Sequence, residues 1–183
     1  MTTTSFSDRY TGTAKALHWT IVVLLIGQFI FAWTMPHIGR NTPVTTIISL
    51  HFTFGIIILA VAIVRLIWRA THGEPAPLDG ISPWQVTSAR VIHWLLYGLL
   101  FVVPLLGWMD VSRRGMPVVM FGLQLPKLLA TRAPGWTGDV HGLLANYLML
   151  ALVALHVAAA LYHYFVRRDG VLQRMLPDRF TRT

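Results

Sequence analysis

Apolar residues in this chain fall into four long runs, separated by shorter stretches that contain most of the prolines and charges. An α-helix of about 20 mostly apolar residues crosses a hydrocarbon core about 30 Å thick. Runs of this length cover residues 16–35, 44–68, 91–109 and 139–166, with Trp84 as an earlier alternative start for the third. Pro104 lies inside the third run, and membrane helices tolerate such a proline when neighbouring groups satisfy the backbone. The pattern therefore predicts an all-α integral membrane four-helix bundle, with residues 1–183 as a single domain.

The loop between the third and fourth runs, about residues 110–138, is the longest one predicted outside the membrane. Loops of this length are commonly functional or disordered. Its stretch 116–129 is rich in apolar residues, which predicts that the loop packs over the mouth of the bundle.

The composition supports a membrane protein and argues against two other classes. Apolar residues make up 55% of the chain and charged residues 12%, about half the roughly 25% typical of a soluble domain. A chain this apolar is also unlike a disordered segment, which needs low hydrophobicity. No small-x-small cleavage site follows the first run, so we expect a retained helix instead of a cleaved signal peptide.

The formal net charge of +8 indicates basic edges of a membrane protein, in contact with lipid, rather than a nucleic-acid surface. Four spans put both termini on the same side of the membrane. Ten lysines and arginines lie on the side of the termini and five on the opposite side. The ten are Arg9, Lys15, Arg65, Arg69, Arg90, Arg167, Arg168, Arg174, Arg179 and Arg182, and the five are Arg40, Arg113, Arg114, Lys127 and Arg132. The positive-inside rule then predicts that both termini are cytoplasmic.

Histidines within the predicted spans are the main candidates for chemistry, because ionisable residues inside a membrane are costly and usually functional. The chain has eight histidines and no cysteine, which excludes thiolate metal sites, iron–sulfur clusters and covalently attached haem. The alternating directions of the four helices place His51 and His141 near the outer side. The inner group consists of His18, His93, His156 and His163.

Two histidines on facing helices are a common way to hold a b-type haem in a bundle core. His51 with His141 would form an outer site and His156 an inner one, with His18 as its simplest partner and His93 as the competing partner. His163 is better suited to a haem propionate or a quinone head group. The alternatives are histidines that only pack against backbone carbonyls, a zinc site and a proton relay. The last two usually recruit acidic groups, and no Asp or Glu lies well inside any span.

Arginines at the two ends of the bundle are candidates for binding haem propionates, because the guanidinium group binds carboxylates in a bidentate manner. Arg65 and Arg69 are inner candidates and Arg114 is an outer one. The alternative for each is plain placement at the surface or by the positive-inside rule. The basic outer loop would attract an anion such as superoxide, and equally an acidic soluble cytochrome.

The order of several short motifs resembles the bacterial cytochrome b561 family and, more distantly, the cytochrome b subunits of hydrogenases and formate dehydrogenases. The motifs are A-L-H-W at 16–19, H-F-T-F-G at 51–55, V-R-L-x-x-R at 64–69, H-W-L-L-Y at 93–97, P-L-L-G-W at 104–108, H-G-L-L-A-N at 141–146, A-L-H-V-A-A-A-L-Y-H-Y-F at 154–165 and L-x-R-M-L-P at 172–177. Each motif is weak alone, and their combination across nearly the whole chain is fairly specific.

The resemblance implies a four-helix cytochrome of the bacterial inner membrane that carries two haems b and exchanges electrons with the quinone pool. It assigns the outer haem to His51 and His141 and the inner haem to His18 and His156, with His93 and His163 near the inner haem edge. Some members of the family oxidise superoxide at the outer face and pass the electron to ubiquinone. Others exchange electrons with soluble periplasmic redox proteins. The expected function is therefore an oxidoreductase that links an outer one-electron donor, with superoxide as the leading candidate, to quinone. The alternative is a membrane-anchor subunit that passes electrons between quinone and a soluble partner.

Overall fold

Four long helices make up most of the computed structural model, which describes residues 9–39, 42–120, 123–129 and 135–177. Helix α1 spans Gly12–Thr34, α2 spans Thr46–His72 and α3 spans Pro83–Arg113. Helix α4, Trp136–Arg167, is continuous but contains two π-helical segments, Leu144–Met149 and His163–Arg167. All four helices are long and apolar enough to cross a membrane, which confirms the all-α four-helix membrane fold. Arg40, Arg132, Arg179 and Arg182 lie outside the described residues.

Most helix ends lie beyond the apolar runs from which they were predicted, because polar residues also form helix ends; α2 instead begins two residues later than predicted, and α1 ends one residue earlier. The largest difference is at α3, which begins at Pro83, close to the alternative start at Trp84. The backbone N–H of Ser82 donates to Oε1 of Gln85 at 3.2 Å, so this start is capped by polar side chains that hydropathy does not detect. At its other end α3 continues to Arg113, so Asp110 lies in the helix and not in the loop.

Neighbouring helices pack in chain order, with α1 on α2, α2 on α3 and α3 on α4. Among the described residues, no Cα atom of α4 lies within 8 Å of a Cα atom of α1 or α2. Side chains fill the gap between α4 and α1 near the middle of the bundle. Buried Leu99, Val103 and Met149 form a cluster with Leu25 and Phe29 of α1. This apolar layer separates two halves of the bundle, which we name after the predicted orientation. The outer half contains His51 and His141, and the inner half contains His18, His93 and His156.

The connection between α3 and α4 contains a short antiparallel hairpin, β1 (Val119–Met120) paired with β2 (Leu123–Gln124). Met116 and Val118 are buried just before it and pack against Phe52 of α2. The prediction that the apolar part of this loop packs over the mouth of the bundle is therefore confirmed for the described residues. The two small strands are the part of the fold that the helical pattern did not predict.

Candidate functional site

The outer half of the bundle brings together His51 of α2 and His141 of α4. Their ring centroids lie 6.2 Å apart and their planes are nearly perpendicular, at 85°. Nδ1 of His141 is 2.8 Å from the carbonyl oxygen of Val103 on α3. Since a carbonyl only accepts, Nδ1 carries the proton in this bond and Nε2 keeps its lone pair. His141 is thus held in the tautomer that a metal ligand needs.

Gly107 allows His141 to reach that carbonyl. It lies one helical turn after Val103, and a Cβ atom added at Gly107 would be 3.0 Å from Cε1 and 3.1 Å from Nδ1 of the imidazole. Any larger residue would therefore push the ring away from α3. The glycine of the P-L-L-G-W motif at 104–108 therefore leaves the space that the His141 ring occupies.

A cavity of about 580 Å³ adjoins the outer pair and has mainly apolar walls. Gly55 and Gly142 line it, and a Cβ atom at Gly142 would meet nothing within 4 Å. Gln28 of α1 faces His51, with 3.4 Å between its amide nitrogen and Nε2 of the ring. Oε1 of Gln28 and Nδ1 of His51 are buried and have no hydrogen-bond partner among the described residues. The site thus combines an apolar volume of cofactor size with two buried polar atoms that are still available to bond.

The spacing of the outer pair fits a metal ion between two imidazoles. A metal–imidazole bond is about 2.0–2.1 Å long and the bonding nitrogen lies about 1.2 Å from the ring centroid, so two opposed ligands have centroids about 6.5 Å apart. The observed 6.2 Å is close to that value. Within the described part of the chain, no group of three or more His, Asp or Glu side chains is arranged to hold a metal. Two imidazoles at this spacing suit a metal whose remaining ligands come from a macrocycle, as in haem.

The inner half of the bundle holds three histidines in contact. His156 of α4 faces His18 of α1 at 6.2 Å between centroids, and His93 of α3 at 5.2 Å. Arg65 stands beside this group. Its Nε donates to the hydroxyl of Tyr97 at 2.9 Å and its Nη1 to the carbonyl of Ala14 at 3.0 Å, so it joins the inner ends of three helices.

Two further sequence candidates are bonded to groups outside this cluster. Nδ1 of His163 is 2.5 Å from Oδ2 of Asp169, in the segment that follows α4. The guanidinium of Arg69 is 2.5 Å from Glu74 and lies over the rings of Trp94 and Tyr97, at 5.2 and 5.5 Å from their centroids. The structure therefore places both residues at the periphery of the inner group.

The third arginine candidate, Arg114, belongs to a network at the outer end of the bundle. Its Nε donates to buried Asp110 at 2.6 Å and its Nη1 to the carbonyl of Ile38 at 2.9 Å. Asp110 also accepts from Nη2 of Arg113 at 2.8 Å and from the Thr137 hydroxyl at 3.2 Å. The network joins α3, the start of α4 and the α1–α2 connection, and Arg114 also lines the outer cavity.

Sequence reasoning missed three residues that shape the outer site. Gln28 is the one amide in the predicted span 16–35, and this isolation inside an apolar run was a signal that could have identified it. Asp110 fell one residue beyond the predicted end of the third span and was treated as part of the loop. Gly107 carries no side chain, so only the position of His141 reveals its function.

Comparison with known proteins agrees with this arrangement. A family model described as prokaryotic cytochrome b561 matches residues 9–178. The chain is 30% identical to cytochrome b561 homolog 2 of Escherichia coli (strain K12), over 96% of this chain and 95% of the relative. It is 30% identical to a protein of Yersinia pestis named probable superoxide oxidase CybB, over 93% of this chain and 97% of the relative. It is also 30% identical to cytochrome b562 of Cereibacter sphaeroides, over 93% of this chain and 96% of the relative.

Proposed function

The chain belongs to the prokaryotic cytochrome b561 family, and from this premise we propose that it carries two haems b and passes electrons from a one-electron donor at the outer face to quinone. Family membership and four apolar helices make it a multi-pass electron-transfer protein of the bacterial inner membrane, with haem b as its cofactor. The number of haems, the donor and the acceptor are the parts that we propose.

The outer haem is assigned to His51 and His141, and the observation that carries this assignment is the fixed tautomer of His141 with its partner 6.2 Å away. For the inner haem, His18 is a better partner of His156 than His93 is. The 6.2 Å between His18 and His156 is close to the roughly 6.5 Å that two opposed ligands need. The 5.2 Å between His93 and His156 is too short for two imidazoles on opposite sides of one metal and is typical of packed rings. When bound between two imidazoles, haem b supplies reversible one-electron transfer with no open coordination position.

The remaining candidates surround the two haem sites. Arg65 joins three helices beside the inner histidines and is the best-placed residue for an inner propionate. His93 and His163 lie at the inner edge, where we place the ubiquinone. Arg114 lines the outer cavity, and Asp110 and a backbone carbonyl fix its orientation, so it can serve an outer propionate at little entropic cost. We propose that both termini are cytoplasmic, because ten lysines and arginines lie on their side of the bundle and five on the opposite side.

Superoxide is the donor that the outer face favours. Arg113, Arg114 and Lys127 outnumber the carboxylates of Asp110 and Asp139 there, and a net positive charge raises the local concentration of a small anion. One relative is named probable superoxide oxidase, which supports the same donor. The second candidate, an anchor for a soluble redox protein, is favoured by the outer hairpin, where Val119 and Leu123 are exposed.

A reduced-minus-oxidised spectrum with a haem count tests the cofactor assignment. We expect two haems b per chain, and one haem after His51→Ala or His141→Ala. His18→Ala should remove the inner haem, whereas His93→Ala should leave both in place. His72→Ala is the matched control, because His72 is an exposed residue at the end of α2 that stacks on Trp68. A variant of His93 with one haem and a variant of His18 with two would overturn the inner assignment.

The donor is tested by following superoxide consumption by the purified holoprotein with and without ubiquinone. We expect quinone to accelerate consumption and the rate to fall as ionic strength rises, because salt screens the outer basic residues. No acceleration by quinone would refute superoxide oxidation coupled to the quinone pool. A soluble redox protein that co-purifies with the chain and reduces its haem would support the anchor function instead.

A further inference from the structure

A separate groove lies on the surface of the bundle near its inner end, between the end of α2 and the first turns of α3. It encloses about 340 Å³ and none of the histidines lines it. Its polar walls are Arg69, Glu74 and Arg90, and its apolar walls include Leu66 and Trp94. Arg69 lies within one turn of the end of α2 and just after the apolar run 44–68, so we expect the groove to lie where these helices leave the membrane.

The charge of this groove is not balanced by the chain itself. Glu74 pairs with Arg69 at 2.5 Å. Arg90 is exposed and has no ion-pair or hydrogen-bond partner among the described residues. Two guanidinium groups therefore face one carboxylate. The C-terminal end of α2 adds a partial negative charge, so an anion bound in the groove depends on both arginines.

We propose that this groove binds the headgroup phosphate of an anionic phospholipid. Guanidinium groups bind phosphate oxygens in a bidentate manner, and basic pockets between helix ends bind anionic lipid headgroups. Trp94 is half-exposed on the surface of α3, and tryptophan is favoured at the depth of the headgroups. Leu66, an apolar wall of the groove, can contact the first part of an acyl chain.

The excess positive charge selects the class of lipid. A zwitterionic lipid such as phosphatidylcholine brings its own cation beside the phosphate and leaves the excess charge of the groove uncompensated. Phosphatidylglycerol carries the phosphate charge alone and compensates it. Arg90 has no other partner to lose, so binding the phosphate costs no existing ion pair at this residue.

Native mass spectrometry of the detergent-solubilised holoprotein tests the proposal. With equal amounts of phosphatidylglycerol and phosphatidylcholine added, we expect the protein to retain phosphatidylglycerol preferentially. Arg90→Gln should reduce its retention by at least about tenfold, the lower limit for losing a hydrogen bond to a charged group. Arg90→Lys, which keeps the charge but not the bidentate geometry, should have an intermediate effect. Arg168→Gln is the matched control, because Arg168 is an exposed arginine near the same end of the bundle and outside the groove.

A second arm separates the lipid from free phosphate. Inorganic phosphate at millimolar concentration should not displace phosphatidylglycerol, since it lacks the acyl chains that contact the groove. Displacement would mean that the groove recognises phosphate alone and would overturn the lipid assignment. Equal retention of the two lipids, or equal losses in Arg90→Gln and Arg168→Gln, would overturn the proposal altogether. An unchanged haem spectrum in each variant shows that the fold is intact.

Discussion

Replacing Gly107 with alanine is a sharp test of the outer site, because the change adds one methyl group against one haem-ligand candidate. The new Cβ would lie 3.0 Å from Cε1 of His141 and 3.1 Å from its Nδ1. Ordinary contact begins at 3.4 Å, so the ring would have to withdraw by about 0.4 Å. The imidazole cannot do so freely, since its Nδ1 is bonded to the carbonyl of Val103 at 2.8 Å.

The free-energy cost of this displacement can be estimated from the known effect of overpacking. Extra methyl groups in a well-packed interior cost about 1–3 kcal/mol. If the displacement falls mainly on the bond between His141 and haem, the affinity for the outer haem drops by about 5- to 140-fold, at 1.4 kcal/mol per factor of ten. The inner haem site does not contact Gly107 and should keep its affinity.

The assay is haem loss to excess apomyoglobin, followed separately for the two haems by their reduced spectra. The matched control is Gly98→Ala, an exposed glycine on the same helix whose added Cβ would meet nothing within 4 Å. It should lose neither haem and should gain up to about 1 kcal/mol of helix stability. Loss of both haems at equal rates from Gly107→Ala would contradict a specific role of Gly107 beside His141. Loss of neither haem faster than from Gly98→Ala would contradict it as well.

Three further predictions concern the neighbours of the two sites. Gln28→Leu removes the amide N–H that Nε2 of His51 accepts at 3.4 Å and should strengthen binding of the outer haem by up to about tenfold, because that bond competes with a metal for the imidazole lone pair; faster loss of the outer haem to apomyoglobin would contradict this. Asp110→Asn leaves two arginines without their charge partner and should lower the free energy of unfolding by about 1–3 kcal/mol, with the outer haem lost first on heating. Asp169→Ala should expose the segment after α4 to protease while both haem spectra persist, because it removes the carboxylate that bonds Nδ1 of His163; altered quinone reduction without new cleavage would instead place His163 at the quinone.

The number of helices and the depth of each histidine could be predicted from the sequence, because both depend on one-dimensional periodicity. An apolar run of bilayer length is a helix wherever the chain crosses a membrane, and its direction alternates at each crossing. That logic placed His51 and His141 at one depth, and the structure brings their rings to 6.2 Å. The helix ends were less accurate, as the early start at Pro83 shows, because caps consist of polar residues.

The finer parts of the outer site could not be predicted, because they depend on which side chains meet across helices. The distance from Gln28 to His51 is set by the packing of α1 on α2, and the place of Gly107 is set by the position of α4. The hairpin over the outer mouth is two short strands whose register no periodicity determines. Such contacts are properties of the three-dimensional arrangement, for which a single sequence holds no direct signal.

The sequence left His18 and His93 open as partners of His156, because it does not give the order of the helices around the bundle. That order distinguishes the two candidates. Two helices in direct contact bring their facing side chains close together, whereas two imidazoles on opposite sides of one metal have centroids about 6.5 Å apart. Helix α4 packs directly on α3 but has no Cα atom within 8 Å of α1 or α2 among the described residues. The pairs that α4 forms with those two distant helices have the longer spacing of 6.2 Å, and its pair with α3 has the shorter spacing of 5.2 Å. The separation of the helices therefore supports the proposed partner ligands on α1 and α2, and the shorter spacing agrees with a packing contact between His93 and His156.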